Sequence, residues 1–118
     1  MAQPSILIVD DDRDLQKMLG EVFRQEGFVV LHEYGGARAL NTAVREQPDL
    51  VLLDVMTPEL RGIDVLRELR RRRIRTRVVV FTGSVPSVEH IVDFVRLGAC
   101  DYLEKGGDIE TLLVACTR

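Results

Sequence analysis

The sequence has few aromatic residues and few cysteines. It contains no tryptophan, two tyrosines and four phenylalanines, so valine, leucine and isoleucine must supply most of the core. Such a core suits a sheet covered by helices on both faces. Cys100 and Cys116 are not accompanied by a further cysteine or histidine cluster, which argues against a disulfide framework or a zinc site. We therefore expect a reducing cytosol as the compartment.

Long apolar runs and a strong net charge are also missing. The longest apolar runs, such as Leu50–Leu53 and Val78–Phe81, have the length of a strand and cannot cross a bilayer. Residues 1–5 lack the charged and apolar segments of a signal peptide. The net charge of −3 gives no overall attraction to nucleic acid or to anionic membranes. We expect a protein without membrane contact.

Five short apolar runs alternate with segments of helical periodicity. The runs are Ile6–Val9, Phe28–Leu31, Leu50–Leu53, Val78–Phe81 and Tyr102–Leu103. Four of them are rich in β-branched residues or leucine without alternation, which is typical of parallel strands buried on both faces. The pattern predicts one (βα)5 domain over residues 1–118 with a doubly wound parallel sheet.

Three of the intervening segments have a clear amphipathic pattern. Their apolar positions are Leu15, Met18, Leu19, Val22 and Phe23, then Val88, Ile91, Val92 and Val95, and finally Ile109, Leu112, Leu113 and Cys116. This spacing indicates faces turned toward the core. Residues 37–45 and 63–72 fit a helix less strongly. Gly27 and Gly98 are placed to end helices, and Asp108 to cap the last one.

Polar side chains follow the ends of four predicted strands. They are Asp10, Asp11 and Asp12 after the first strand, Asp54 after the third, Thr82 after the fourth and Lys105 after the fifth. In an open parallel sheet these ends share one edge, and ligands bind there at the reversal of strand order. We therefore expect carboxylates, a hydroxyl and an ammonium to converge on one cleft.

These groups suit phosphoryl transfer assisted by a divalent cation. Neighbouring carboxylates repel one another unless a cation lies among them, and Mg²⁺ takes one or two carboxylates together with water and phosphate oxygens. Lys105 and Thr82 suit the oxygens of a transferring phosphoryl group. Asp54 would be a carboxylate nucleophile that forms an acyl phosphate.

Each of these residues alone also has a structural interpretation. An acidic run before a helix is often only a cap, and Asp54 could be a turn residue. Lys105 could be a surface lysine, and Thr82 a strand or cap residue. We favour a site because all of them occur together at the ends of four strands.

Four segments resemble the receiver domains of response regulators in two-component signalling, of the chemotaxis-regulator kind. They are ILIVDDD at residues 6–12, LVLLDVMTPELRG at 50–62, VVVFTGS at 78–84 and LGACDYLEK at 97–105. The resemblance covers essentially the whole chain, in order and spacing. It implies a flavodoxin-like fold with strand order 2-1-3-4-5.

The resemblance also implies a role for each matching residue. Asp54 matches the phosphoacceptor, which is phosphorylated from a phosphohistidine of a sensor histidine kinase or a phosphotransfer protein. The implied ligands of Mg²⁺, or of Mn²⁺, are Asp10, Asp11, Asp54 and the main-chain carbonyl of Met56. Thr82 and Lys105 match the residues that bind the phosphoryl group. Tyr102 matches the aromatic residue that turns inward when Thr82 is drawn toward that group.

Some positions depart from the family pattern. Gly106 and Gly107 follow Lys105, where the family usually has proline, often after a cis bond. A cis bond before glycine would cost about 2.5–4 kcal/mol, so we expect either a trans bond or strain at this point. Arg61 and Gly83 replace the more usual Asp and Ala without removing a group that the mechanism needs.

The expected function is a phosphoacceptor signalling switch that acts on an output domain or protein and catalyses only its own phosphorylation and slow dephosphorylation. The alternative is a receiver-like interaction module without phosphorylation. A haloacid-dehalogenase-type enzyme would need an Asp where Met56 stands, and no nucleotide-binding motif is present. The chain ends at Arg118 and is either a complete regulator or a fragment of a longer protein. The surface formed by the last two helices and the last strand is a candidate for homodimerisation.

Two further groups have a structural interpretation. The basic run Arg70–Arg73, with Arg75 and Arg77, is interpreted as a solvated helix end rather than a nucleic-acid surface, because no aromatic residues interleave with it. Direct binding of nucleic acid is therefore not expected. His32 and His90 are interpreted as surface or edge residues.

Overall fold

The computed structural model describes residues 3–83 and 87–118, in which five strands alternate with five helices. The strands are β1 (Ser5–Val9), β2 (Val29–Glu33), β3 (Leu50–Leu53), β4 (Arg77–Thr82) and β5 (Asp101–Glu104). The helices are α1 (Arg13–Gln25), α2 (Gly36–Glu46), α3 (Gly62–Arg71), α4 (Val88–Arg96) and α5 (Ile109–Thr117). No helix in these two ranges is long and apolar enough to span a membrane.

The strands form one parallel sheet in the order β2-β1-β3-β4-β5, which confirms the predicted flavodoxin-like fold. Successive residues of a strand point to opposite faces. Leu7 and Val9 therefore pack with α2, α3 and α4, whereas Ile6 and Ile8 pack with α1 and α5. Burial on both faces explains why the central strands are apolar without alternation.

The expected helix ends are confirmed. Gly27 and Gly98 have φ values of 92° and 81°, the left-handed conformation that glycine adopts without a steric penalty. Asp108 caps α5 by accepting a hydrogen bond from the amide of Glu110 at 3.0 Å. Of these, the Asp108 cap follows the loop that carries Lys105, whereas Gly27 and Gly98 lead into β2 and β5 at the opposite edge of the sheet.

The apolar face expected on α4 does not face the core. Val88 and Val95 are 76% and 61% exposed, and the residue of α4 that is buried is Phe94. The helix is apolar on more than one side, and burying a phenyl ring removes more apolar surface from water than burying a valine. Met18 on α1 and Ile109 on α5 also lie partly outside the core.

The basic run is only partly a solvated helix end. The guanidinium of Arg70 donates to the carbonyls of Leu97 and Ile74, both at 2.8 Å, and to that of Thr76 at 3.0 Å. Arg70 therefore ties the end of α3 to the end of α4 and to the start of β4. Arg71 and Arg72, in contrast, are exposed and pair with Glu68.

Candidate functional site

Three carboxylates meet at the carboxyl edge of the sheet. Asp10, Asp11 and Asp54 each offer an oxygen, and these oxygens lie within 4.8 Å of one another. The cause is the pairing of β1 with β3, in which Val9 lies opposite Leu53 and the amide of Asp54 donates to the carbonyl of Val9 at 3.0 Å. Asp10 and Asp54 are buried and Asp11 is exposed.

The three consecutive aspartates of the first loop have different positions. Asp12 caps α1, since its side chain accepts a hydrogen bond from the amide of Leu15 at 3.0 Å. The amide of Asp12 donates to Oδ1 of Asp10 at 2.9 Å, so this turn also orients the Asp10 carboxylate. The capping interpretation therefore applies to Asp12, while Asp10 and Asp11 lie with Asp54.

Lys105 brings a positive charge into the acidic cluster. Its Nζ lies 2.5 Å from Oδ2 of Asp10 and 3.3 Å from Oδ2 of Asp54. Burial alone would lower the pKa of Lys105, but the hydrogen bond to Asp10 and the charges of both aspartates outweigh burial and raise it. Burial also raises the pKa of Asp10, against the lowering effect of the Lys105 hydrogen bond. The site thus holds a charged ammonium between two buried carboxyl groups.

The loop after β5 accommodates the glycine pair without a cis bond. The described residues contain no cis peptide bond, so the link between Lys105 and Gly106 is trans, one of the two expected outcomes. Gly106 has φ = 87°, a conformation closed to proline, whose ring holds φ near −65°. The amide of Lys105 donates to the carbonyl of Thr82 at 2.8 Å, which anchors the start of this loop.

The remaining predicted residues surround this cluster. Thr82 is fully buried as the last residue of β4, and Tyr102 is half-buried on the neighbouring strand β5. The amide of Met56 lies 3.4 Å from Oδ1 of Asp54, and the Met56 side chain is 60% exposed. Ser84, the last residue of the segment VVVFTGS, lies outside the described residues.

Sequence reasoning missed two glycines that shape the loop after β3. A Cβ on Gly62 would lie 2.5 Å from the carbonyl oxygen of Asp54, and a Cβ on Gly36 only 1.9 Å from that of Leu60. Both distances are too short for any real side chain, so glycine is required for α3 and α2 to approach this loop. Gly62 belongs to the segment LVLLDVMTPELRG, but only the structure shows what it contacts.

The donor set fits a hard divalent cation. Carboxylate oxygens are the protein ligands that Mg²⁺ and Mn²⁺ prefer, and Mg²⁺ needs only one or two of them. An exposed Asp11 beside two buried aspartates leaves one side of the cluster open to water and to a phosphoryl group. The arrangement is suited to placing a cation and a carboxylate nucleophile side by side.

Comparison with known proteins identifies the family. Residues 6–117 match the model of the response regulator receiver domain. The regulatory protein AtoC of Escherichia coli (strain K12) is 38% identical over 113 residues, which are 96% of this chain and 24% of that protein. The sporulation initiation phosphotransferase F of Bacillus subtilis (strain 168) is 34% identical over 112 residues, which are 95% of this chain and 90% of that protein.

The chain thus spans about a quarter of one relative and most of another. A third relative is the transcriptional regulatory protein CpxR of Klebsiella pneumoniae subsp. pneumoniae (strain HS11286), which is 43% identical over 100 residues. These residues are 85% of this chain and 42% of that protein. Among solved structures, a signal receiver domain from Vibrio parahaemolyticus superimposes with a TM-score of 0.92 at 28% identity, covering 98% of this chain and 88% of that one. The chain belongs to the family of response regulator receiver domains.

Proposed function

We propose that this receiver domain is a phosphoacceptor switch in which Asp54 takes a phosphoryl group from a phosphohistidine with the help of Mg²⁺ or Mn²⁺. The observation that carries the proposal is the meeting of three carboxylates within 4.8 Å, with the Lys105 ammonium 3.3 Å from Asp54. Two buried carboxylates beside a third, exposed one are costly unless their charges are neutralised by a ligand or a cation.

In the proposed reaction a carboxylate oxygen of Asp54 attacks the phosphorus atom. The phosphorus–nitrogen bond of the donor breaks, and its electron pair stays on the imidazole nitrogen. Asp10, Asp11, Asp54 and the main-chain carbonyl of Met56 would hold the cation. When bound, Mg²⁺ offsets the negative charge that spreads over the phosphoryl oxygens.

Lys105 and Thr82 would receive the phosphoryl group on Asp54. The ammonium already lies between Asp10 and Asp54, and only a short movement separates it from an oxygen of a group attached to Asp54. Thr82 ends the strand next to β3 and supplies a hydroxyl donor. Movement of Thr82 toward the phosphoryl group would allow Tyr102 to turn inward and change the surface of α4, β5 and α5.

The partners follow from this role. The donor would be a sensor histidine kinase or a phosphotransfer protein, and the recipient of the signal an output domain or protein. The exposed valines of α4, Val88 and Val95, lie on the surface that we propose for the output partner or for a homodimer. A reducing cytosol is the proposed compartment, because the two cysteines do not form a disulfide framework.

The test is incubation with Mg²⁺ and acetyl phosphate or phosphoramidate, followed by mass spectrometry. We expect the wild-type protein to gain the mass of one phosphoryl group and Asp54→Asn to gain none. Asp64→Asn is the matched control, because Asp64 is a carboxylate on α3 that pairs with Arg67. A wild-type protein that binds Mg²⁺ but gains no mass would support the alternative of an interaction module without phosphorylation.

A further inference from the structure

A buried amide joins β1 and β2 at the point where Asp10 leaves the sheet. Gln16 on α1 is 1% exposed, and its Nε2 donates to the carbonyls of Ile8 and Glu33, both at 2.8 Å, and to that of Asp10 at 3.2 Å. An amide nitrogen carries only two hydrogens, so these three carbonyls share them and leave no hydrogen without an acceptor. Neither the catalytic assignment above nor the helix cap involves this residue.

The hydrogen bonds of Gln16 determine which ring nitrogen of His32 carries the hydrogen. Three carbonyls can only accept, so the amide nitrogen faces them and Oε1 faces His32. Nδ1 of His32 lies 2.5 Å from this oxygen and must therefore carry a hydrogen. Nε2 of His32 lies 3.3 Å from Nη2 of Arg24, which can only donate, so Nε2 is the acceptor. A neutral imidazole with its hydrogen on Nδ1 satisfies every partner.

The helix is shaped to admit this imidazole. A Cβ on Gly20 would lie 2.8 Å from Cε1 of His32, so any side chain at position 20 would displace the ring. Glycine inside a helix is less favourable than alanine, so its presence here has a packing reason. Gly20, His32 and Gln16 therefore form one packed unit between α1 and β2.

The main chain of Asp10 is held from two directions, by β2 and by Gln16. The amide of Asp10 donates to the carbonyl of Glu33 at 3.1 Å, and its own carbonyl accepts from Gln16. We infer that Gln16, oriented by His32, is a positioning residue for the cation site and sets the spacing of Asp10 and Asp11 relative to Asp54. This inference rests on the proposed function, in which that acidic cluster binds Mg²⁺.

Calorimetric titration with Mg²⁺ alone distinguishes positioning from mere stabilisation. Gln16→Met keeps the length of the side chain and removes its hydrogen bonds. The control is Thr42→Val, because the buried Thr42 hydroxyl donates to Oε2 of Glu33 at 2.6 Å, at the end of β2, and not to Asp10. We expect both variants to unfold at lower urea concentration, but only Gln16→Met to weaken Mg²⁺ binding, by about tenfold as for other residues that orient metal ligands.

A second variant keeps the inference testable if Gln16→Met does not fold. His32→Leu removes the imidazole from the edge strand, and we expect it to weaken Mg²⁺ binding on its own. Where Gln16→Met folds, the double variant should show no additional loss of Mg²⁺ affinity. Mg²⁺ uptake that is unchanged in His32→Leu and in any folded Gln16→Met would overturn this inference alone. A wild-type protein that takes up no Mg²⁺ would overturn the proposed function together with it.

Discussion

The ring of Phe94 on α4 packs edge-to-face against the ring of Tyr102 on β5, with centroids 5.5 Å apart and 71° between the ring planes. In the described part of the chain Phe94 is the residue of α4 that is buried, while Val88 and Val95 face solvent. This aromatic pair therefore joins α4 to the strand that leads to Lys105. A change in the position of Tyr102 therefore acts directly on α4 through the ring of Phe94.

A double-mutant cycle measures this contact. We expect Phe94→Leu and Tyr102→Leu each to lower the free energy of unfolding in urea, and the double variant to lose less than the sum. Edge-to-face pairs contribute about 0.5–1.5 kcal/mol beyond their buried area, and this is the coupling energy expected. Strictly additive losses would show that the rings do not interact in solution.

Neighbouring aspartates should differ in their effect on cation binding. Asp11→Ala should abolish Mg²⁺ uptake in calorimetry, because Asp11 belongs to the acidic cluster. Asp12→Ala should retain uptake and instead lower the free energy of unfolding by about 1 kcal/mol, because it removes the cap of α1. Equal Mg²⁺ affinities for the two variants would contradict the division of roles described above.

His32 should make stability depend on pH. Burial, and then the charge of Arg24, lower the pKa of His32 below its usual value of 6.5. The unfolded chain therefore binds more protons in this range, and stability present above about pH 6.5 is lost as the pH falls toward the lowered pKa. We compare the free energies of unfolding in urea at about pH 7.5 and about pH 5. The amount by which the wild type is more stable than His32→Leu should be smaller at the lower pH.

The matched control for this measurement is Thr76→Val, because the buried Thr76 hydroxyl donates to the main-chain carbonyl of Pro48 at 2.6 Å and neither group titrates. The free energy of unfolding of this control should differ from that of the wild type by the same amount at both pH values. If the difference between wild type and His32→Leu is also the same at both pH values, His32 contributes no pH dependence to stability.

The phosphoryl group on Asp54 should be long-lived. Hydrolysis needs a group that orients water, and the Met56 side chain, although 60% exposed beside the site, has no such group. We expect decay over minutes or longer, and faster decay in Met56→Asn, when loss of the phosphorylated mass is followed over time. Met18→Asn, at an exposed methionine on α1, should decay like the wild type. A half-life of seconds in the wild type would be inconsistent with this explanation.

Much of the fold could be predicted from local patterns. The run Leu50–Leu53 is a strand with the predicted bounds, because a strand buried on both faces requires a continuous apolar segment. The left-handed conformations of Gly27 and Gly98 followed from their positions after helices. The face of α4 could not be predicted, since its apolar residues surround more than one side and only packing against the sheet core and Tyr102 selects Phe94 for burial.

The sequence by itself determined the order of strands and helices, the polar residues at the strand ends and the family to which they belong. These features depend on periodicity and on residue type, which are local properties. Only the tertiary structure decided that Asp12 caps a helix beside the acidic cluster, that Lys105 lies between Asp10 and Asp54, and that Gln16 ties the main chain of Asp10 to His32. These relationships join residues from different strands and helices, and their distances depend on how those elements pack.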